Sequence, residues 1–318
     1  MDEIVRASLE DAWGVRVEEL ACIAEEEGRR CYRARGDHAQ LFVKAQHAAG
    51  RLDRISQALR VQTLLASHGI AAARPVTTAG GALLDVRDGY AITVESWIPG
   101  GSFTAGPGGL QQLGRLVGRL HSLPVSPEFA GWPSRFDPAA NLNRLRGSIA
   151  DLARAVPDEY GATLAALMQR ADDVGDLAAM PGALVHGDLA WSNVLEVGAG
   201  QIALLDFEDS GIGQPIVDLV EVTTYLVAGP SASGPLRPAQ AEAFYAGYRE
   251  SRVLTDDELA HFAAAHFFHQ LVHLENALGR GDHDFIRRMA ARLESWDGGV
   301  VAQIAAVARG AEHRNAVT

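Results

Sequence analysis

The sequence predicts an α+β fold, with an antiparallel sheet in an amino-terminal lobe and a mainly helical carboxy-terminal lobe. Three observations carry that expectation. Alternating, turn-punctuated segments fill the chain up to about residue 98, and apolar residues recur at helical spacing beyond residue 110. Two short apolar strands then bracket a polar loop around residue 190. With 318 residues, the chain is long for one compact domain and comfortable for two lobes.

Residues 1–13 read as a short amphipathic helix. VEELACIAEE, RRCYRAR and AQLFVKAQ follow, separated by Gly28 and by the Arg35-Gly36-Asp37 turn, and they suggest an antiparallel meander. A helix is expected from about Leu52 to Ser67, with Ile55, Leu59 and Leu65 on one face and Gly69 at its end. ALLDVRD and YAITVESWI meet at Gly89 as two further strands. The glycine-rich stretch from Pro99 to Gly109 reads as the link, giving a nucleotide-binding lobe over 1–98 and a helical lobe over 99–318.

Beyond the link, Leu110, Leu113, Leu116, Val117 and Leu120 mark a helix that Pro124 ends. Residues 126–140 read as loop and 141–180 as mostly helical. GALVH and IALLDF are the two short strands. In the helical final third, Thr255-Asp256-Asp257-Glu258 matches a capping box and Gly279 is the expected stop.

Acidic residues outnumber basic ones, 40 to 28, for a formal charge of −12. That balance disfavours nucleic acid and anionic membrane as partners, since both require dense cationic patches. No apolar run reaches the roughly 18–20 residues of a membrane span, and the acidic amino terminus is unlike a secretory signal. Cys22 and Cys31 lack metal-type spacing. The expected location is the reduced cytoplasm.

Lys44 is the only lysine; the other 27 of the 28 basic residues are arginine. Arginine replaces lysine readily on a solvated surface, but poorly where a slim stem and a compact ammonium must fit. Lys44 lies inside the apolar run LFVKA, where a merely solvated lysine is unexpected.

The most informative stretch is LVHGDLAWSNVLE, residues 184–196, followed by QIALLDFED, residues 201–209. Phosphoryl transfer needs a carboxylate to orient the acceptor hydroxyl, hard oxygens for Mg2+ and a cation on the phosphates. Asp188 can be the first, Asn193 and Asp206 the oxygen ligands, and Lys44 the cation. Each match alone is weak, because Gly, Asn and Asp commonly mark turns. Their order between apolar strands makes the set specific.

These motifs resemble the aminoglycoside phosphotransferase and choline kinase family, whose fold is the two-lobed protein-kinase-like one. The family pattern is H-G-D-x-x-x-x-N followed by a strand ending in an Asp, and both are intact here. The resemblance implies that Asp188 is the catalytic base, that Asn193 and Asp206 bind Mg2+, and that Lys44 contacts the α- and β-phosphates of ATP, with GTP as the other nucleotide it allows. It further implies that His186 braces the catalytic loop, that Asp218 buttresses it from a helix, and that Glu95 and Trp97 in VESWIPGG offer backbone contacts to the adenine. The LVGRLHSLP segment with His121 is also similar to the family.

Two features depart from the family pattern. Residues 51–68 contain no glutamate to pair with Lys44; Gln57 is the nearest polar substitute by position and Gln62 the alternative. The loop from Glu25 to Tyr32 holds one glycine rather than several.

His266, His269 and His273 fall at i, i+3 and i+7, with Glu275 nearby. That spacing admits a metal, but no zinc motif accompanies it, and histidines packed between helices or lining the acceptor side are the ordinary reading.

The sequence therefore predicts an ATP-dependent kinase of a small alcohol. A cationic antibiotic is the favoured acceptor, with Glu208, Asp209, Glu221 and Glu275 as the carboxylates that would attract it. An amino alcohol metabolite and a peptide Ser/Thr remain as alternative acceptors, and a catalytically idle nucleotide-binding scaffold as the alternative of another class.

Overall fold

The computed structural model describes residues 1–310 apart from 27, 37–38, 126, 130, 156–170, 199, 225–236, 283 and 286–297. The expected turn at Asp37, part of the 141–180 helical stretch and the last eight residues lie outside the described residues. The chain divides into two compact units. The first is Met1–Gly101 with Val197–Ala199 and Ala203–Glu208; the second is Ser102–Glu196, Gly200–Ile202 and Asp209–Thr318.

The first unit opens on helix α1 (Asp2–Trp13) and continues with strands β1 (Val17–Glu26), β2 (Arg29–Gly36) and β3 (Gln40–His47). Helix α2 (Leu52–Ser67) and strands β4 (Leu84–Arg87) and β5 (Tyr90–Ser96) follow. The strands form one antiparallel sheet in the order β1-β2-β3-β5-β4. Asp88 and Gly89 both take positive φ, 51° and 80°, the geometry that a two-residue hairpin between twisted strands requires.

The two-residue period of β3 sorts its side chains between the faces of the sheet. Val43 and Ala45 join Val94 and Ile92 against Val5 and Leu9 of α1 in one apolar cluster. Lys44 and Gln46 take the other face, where Ile55, Ala58, Leu59 and Gln62 of α2 line a pocket with Thr93 and Glu95. Burying an apolar face by α1 is what places a lysine and a glutamine side by side on the opposite one.

The second unit is mainly helical. Its described helices include Pro107–His121, Pro138–Ala155, Pro215–Val222, Pro238–Arg249 and Phe262–Arg280. Strand Ala183–Val185 pairs antiparallel with Gly211–Gly213. The capping box at Thr255 and Glu258 is formed in both directions. The last of those five helices runs through Gly279, and Gly281, at φ 68°, follows its end. The strand ending in Leu204, within the Ala203–Glu208 segment of the first unit, stops short of Asp206, which adopts φ 58°. Among the described residues, no helix is long and apolar enough to cross a membrane.

Helices Pro107–His121 and Pro238–Arg249 approach so closely that backbone meets backbone. A Cβ on Gly114 would lie 1.9 Å from the Phe244 carbonyl oxygen, and one on Gly247 would lie 1.9 Å from that of Gln111. No rotamer change relieves a clash with a main-chain atom, so the two helices would have to separate. Gly247→Ala is expected to cost about 3 kcal/mol, the upper part of the ordinary overpacking range, read as a lowered urea midpoint. A midpoint equal to that of the parent would contradict this close crossing.

Candidate active site

In the second unit, the loop His186-Gly187-Asp188 leaves the strand Ala183–Val185 and is mounted on a buried carboxylate. Asp218, on helix Pro215–Val222, accepts from the backbone N–H of His186 at 2.6 Å and of Gly187 at 2.8 Å. His121 Nε2 lies 3.1 Å from the same carboxylate, and its Nδ1 lies 3.1 Å from the Tyr248 hydroxyl. Burial alone would raise the Asp218 carboxyl, but the hydrogen bond and charge of His121, with the Gly187 amide, hold it below the usual range. Gly187 sits at φ +82°, and a Cβ there would fall 2.3 Å from the Asp209 carbonyl oxygen, so only glycine fits the turn.

With its backbone mounted there, Asp188 is held by its neighbours as well. The Asp188 N–H donates to His186 Nδ1 at 3.2 Å, which leaves this nitrogen as the acceptor of the ring. Asn193 Nδ2 donates to both the main-chain oxygen of Asp188, 2.9 Å, and its Oδ2, 2.7 Å. The Asn193 amide nitrogen is thereby committed to Asp188. Glu221, one turn beyond Asp218, accepts from the Leu189 N–H at 2.8 Å and shares a hydrogen bond with the Asp188 carboxyl. Burial, and then the charge of Asp218, push the Glu221 carboxyl up to about 8.

In the first unit, Lys44 is buried yet doubly paired. Its Nζ donates to Asp206 Oδ1 at 3.0 Å and to Glu208 Oε1 at 2.9 Å. Desolvation would strip its charge, but Asp206, Glu208 and Glu95 together hold the ammonium well above its ordinary value. Asp206 Oδ2 also faces Arg29 at 3.4 Å. Asp206 is held in the left-handed backbone region, which Asp tolerates better than most residues.

Several expected roles change. Glu208, expected at the acceptor, is instead the partner of Lys44; it also accepts from Gln46 Nε2 at 2.9 Å and pairs with Arg51 at 2.7 Å. The carboxylate missing from α2 is thus supplied two residues after Asp206. Gln57 does not line the pocket around Lys44; Gln62 does, and it hydrogen-bonds the Glu95 side chain. Five residues along a helix is some 140° of rotation, so the two glutamines face different ways. Glu95 is buried on the face of Lys44 and raised by that burial, with Lys44 opposing. The Trp97 N–H donates to the Gln40 carbonyl at 3.2 Å because pairing with β3 extends past Ser96, so this donor is already used.

The remaining expected acceptor carboxylates are also engaged. Glu221 is 2% exposed and lies beneath the loop rather than at a mouth. Asp209 pairs with Arg135 at 2.9 Å, and Glu275 pairs with Arg144. Sequence reasoning passed over Gln46 and Arg51; the two-residue period from Lys44 to Gln46 was the available signal for the former.

The fold has known counterparts. The model of the phosphotransferase enzyme family matches residues 22–274, and the chain belongs to that family. A homoserine kinase of Pseudomonas aeruginosa strain UCBPP-PA14 is 31% identical over 158 residues, 48% of this chain and 46% of that protein. The chain therefore spans about half the length of that curated relative. Among solved structures, a spectinomycin phosphotransferase in complex with ADP and spectinomycin is similar with a TM-score of 0.67, at 18% identity over 96% of this chain and 98% of that one. The choline kinase LicA of Streptococcus pneumoniae is similar with a TM-score of 0.62, at 15% identity over 93% and 99%. These structures share the α+β, protein-kinase-like fold of this chain.

Asp218 is the residue on which the loop geometry rests, and its charge gives the test a sign. A carboxyl held below its unfolded value contributes stability above about pH 4, which is lost as pH falls through the lower folded value. Asp218→Asn is therefore expected to cost about 3–5 kcal/mol at pH 7, as removal of one member of a buried charged network does. The gap from the parent should narrow below about pH 4. Urea midpoints across that range check both statements, and a gap that stays constant with pH would contradict the assignment.

Proposed function

We propose that this protein is an ATP-dependent kinase that transfers the γ-phosphoryl group to a hydroxyl of a small acceptor. The observation that carries the reading is the bracing of Asp188. Asn193 holds its side chain and its main chain, and Asp218 fixes the backbone immediately before it. A carboxylate held in that way can take or orient a hydroxyl proton as the oxygen attacks phosphorus. In this reading the first unit is the nucleotide-binding part, and Lys44, kept charged by Glu208, positions the α- and β-phosphates. His186 braces the catalytic loop.

Asn193 Oδ1 and the Asp206 carboxylate would hold Mg2+, which prefers sparse, hard oxygen ligation. The fit rests on donor chemistry. With Nδ2 engaged by Asp188, Asn193 has a neutral amide oxygen to offer, and Asp206 has an anionic one. When bound, Mg2+ neutralises charge on the β- and γ-phosphates.

For the acceptor, the pairing of the acids favours a small amino alcohol or hydroxy amino acid over a polycation. Glu208, Asp209 and Glu275 each have a cationic partner, and Glu221 is buried, so none offers a free anionic mouth. The likeness to a homoserine kinase supports the same class. A panel of amino alcohols, hydroxy amino acids and aminoglycosides, assayed by ADP release, decides among them. Asp188→Asn should keep nucleotide affinity and lose on the order of 10²- to 10⁴-fold in kcat on the active acceptor. Turnover within twofold of the parent would sink the reading. The KM for that acceptor should change little between low and physiological salt, whereas a polycation's would rise steeply as the Debye length falls from roughly 30 Å to 8 Å.

Lys44→Arg should not behave as a conservative change. The planar guanidinium cannot place one compact charge between Asp206 and Glu208, so kcat/KM should fall by about 10- to 100-fold. Unchanged kinetics would mean that the single lysine carries no positional role.

A further inference from the structure

Two helices of the second unit bring together a donor set that phosphoryl transfer does not use. His269 and His273 stand one turn apart on helix Phe262–Arg280, and their Nε2 atoms lie 3.3 Å from each other. Glu221 Oε1, from helix Pro215–Val222, lies 3.8 Å from His269 Nε2. All three ligand atoms fall within 4.8 Å of one another. The sequence suggested Glu275 as the acid beside these histidines; the fold supplies Glu221 instead.

The spacing is that of a metal site. Two donors on a tetrahedron about 2.0–2.1 Å from a central ion lie about 3.3–3.4 Å apart. The two imidazole nitrogens meet that figure, and the carboxylate oxygen exceeds it by less than the freedom of one side-chain torsion.

The surroundings suit ligation as well. Phe136 covers both rings, with centroids 5.0 Å from that of His269 and 5.2 Å from that of His273. The Gln270 side-chain amide lies against His269 Nδ1 at 3.4 Å with its nitrogen toward the ring, while its buried Oε1 has no hydrogen-bond partner. Turning that amide over is a change no heavy-atom position resists. It brings Oε1 to Nδ1, fixes the proton there and leaves Nε2 as a bare lone pair facing His273 and Glu221. Ligating histidines characteristically donate their other N–H in this way.

We propose that Glu221, His269 and His273 bind a single divalent transition-metal ion of the Zn2+ class. Two imidazoles and one carboxylate favour Zn2+ or Co2+ over Mg2+ or Ca2+, and a water completes the four ligands. The site is tied to the catalytic loop, because the other oxygen of Glu221 accepts from the Leu189 N–H, next to Asp188.

The test uses the full chain, stripped with chelator and held in excess Mg2+ so that hard-oxygen sites are saturated. Co2+ should then develop the visible bands of a four-coordinate ion, reaching an end point at one equivalent. Zn2+ should displace it and raise Tm. His273→Gln, at a half-buried position, should weaken Co2+ binding at least about 100-fold, since even residues that merely support a ligand are worth 10- to 100-fold. His261→Gln, at the turn that precedes this helix, should bind as the parent does. Absence of a one-equivalent end point in the parent would overturn the proposal, as would His273→Gln binding as tightly as the parent with an unchanged circular dichroism spectrum. No nucleotide or acceptor enters the experiment, so its result stands apart from the kinase assays.

Discussion

The Asp218 carboxylate carries its charge in the protein interior, and desolvation would make that costly if three donors did not converge on it. Two of them are consecutive main-chain N–H groups, of His186 and Gly187, which no substitution of side chains could supply in their place. A main chain pinned at two successive amides has little freedom left at the third residue, and that residue is Asp188. The left-handed Gly187 and the Asp209 carbonyl against it belong to the same turn. His121, from a separate helix, completes the set and links it to Tyr248. One charge thereby ties the His186-Gly187-Asp188 loop to three helices, through hydrogen bonds that also satisfy the loop's own backbone.

Lys44 answers the same problem with the opposite sign. Its ammonium is buried on the sheet face covered by α2, and a helix-borne glutamate is absent. Asp206 and Glu208, two residues apart, both reach it because the chain between them follows the left-handed turn at Asp206. Gln46 and Arg51 then hold Glu208, so its charge is shared among three donors. In a chain that uses arginine everywhere else, this is a place where a planar guanidinium cannot substitute. A point charge must sit between two carboxylates at about 3 Å from each.

Much of this was legible in the residues. Strands β1, β2, β3 and β5 and helix α2 arise from period-two and helical spacing with turn residues between them, and these are strong local signals. Asp188, Asn193, Asp206 and Lys44 stand out in the sequence as a set because phosphoryl transfer calls for those residue types. The roles of the acids were not legible, for a physical reason. Glu208, Glu221 and Glu275 look alike as acidic residues in a helical region, and only tertiary packing decides which are buried and which partner each finds. Gln57 and Gln62 posed the same difficulty on a smaller scale: without the helix phase relative to β3, proximity in sequence chose the wrong one. His269 and His273 were visible as neighbours on a helix, but Glu221 lies some fifty residues away and could not be matched to them by spacing.

Helix Pro215–Val222 shows how one turn can deliver two carboxyls with different behaviour. Asp218 and Glu221 lie three residues apart and face the same loop, so burying both as anions would place like charges side by side in a poor dielectric. Their environments separate them. Asp218 receives the donors and remains ionised, whereas Glu221, with a single main-chain donor and an anion one turn away, is driven toward its neutral form. Asp188 therefore follows a backbone held by one anion and sits beside a carboxyl whose charge is conditional. A cation brought to Glu221 from the side of His269 would convert the second into a fixed anion as well. The charge felt at Asp188 would then depend on side chains of helix Phe262–Arg280 as well as on its own loop.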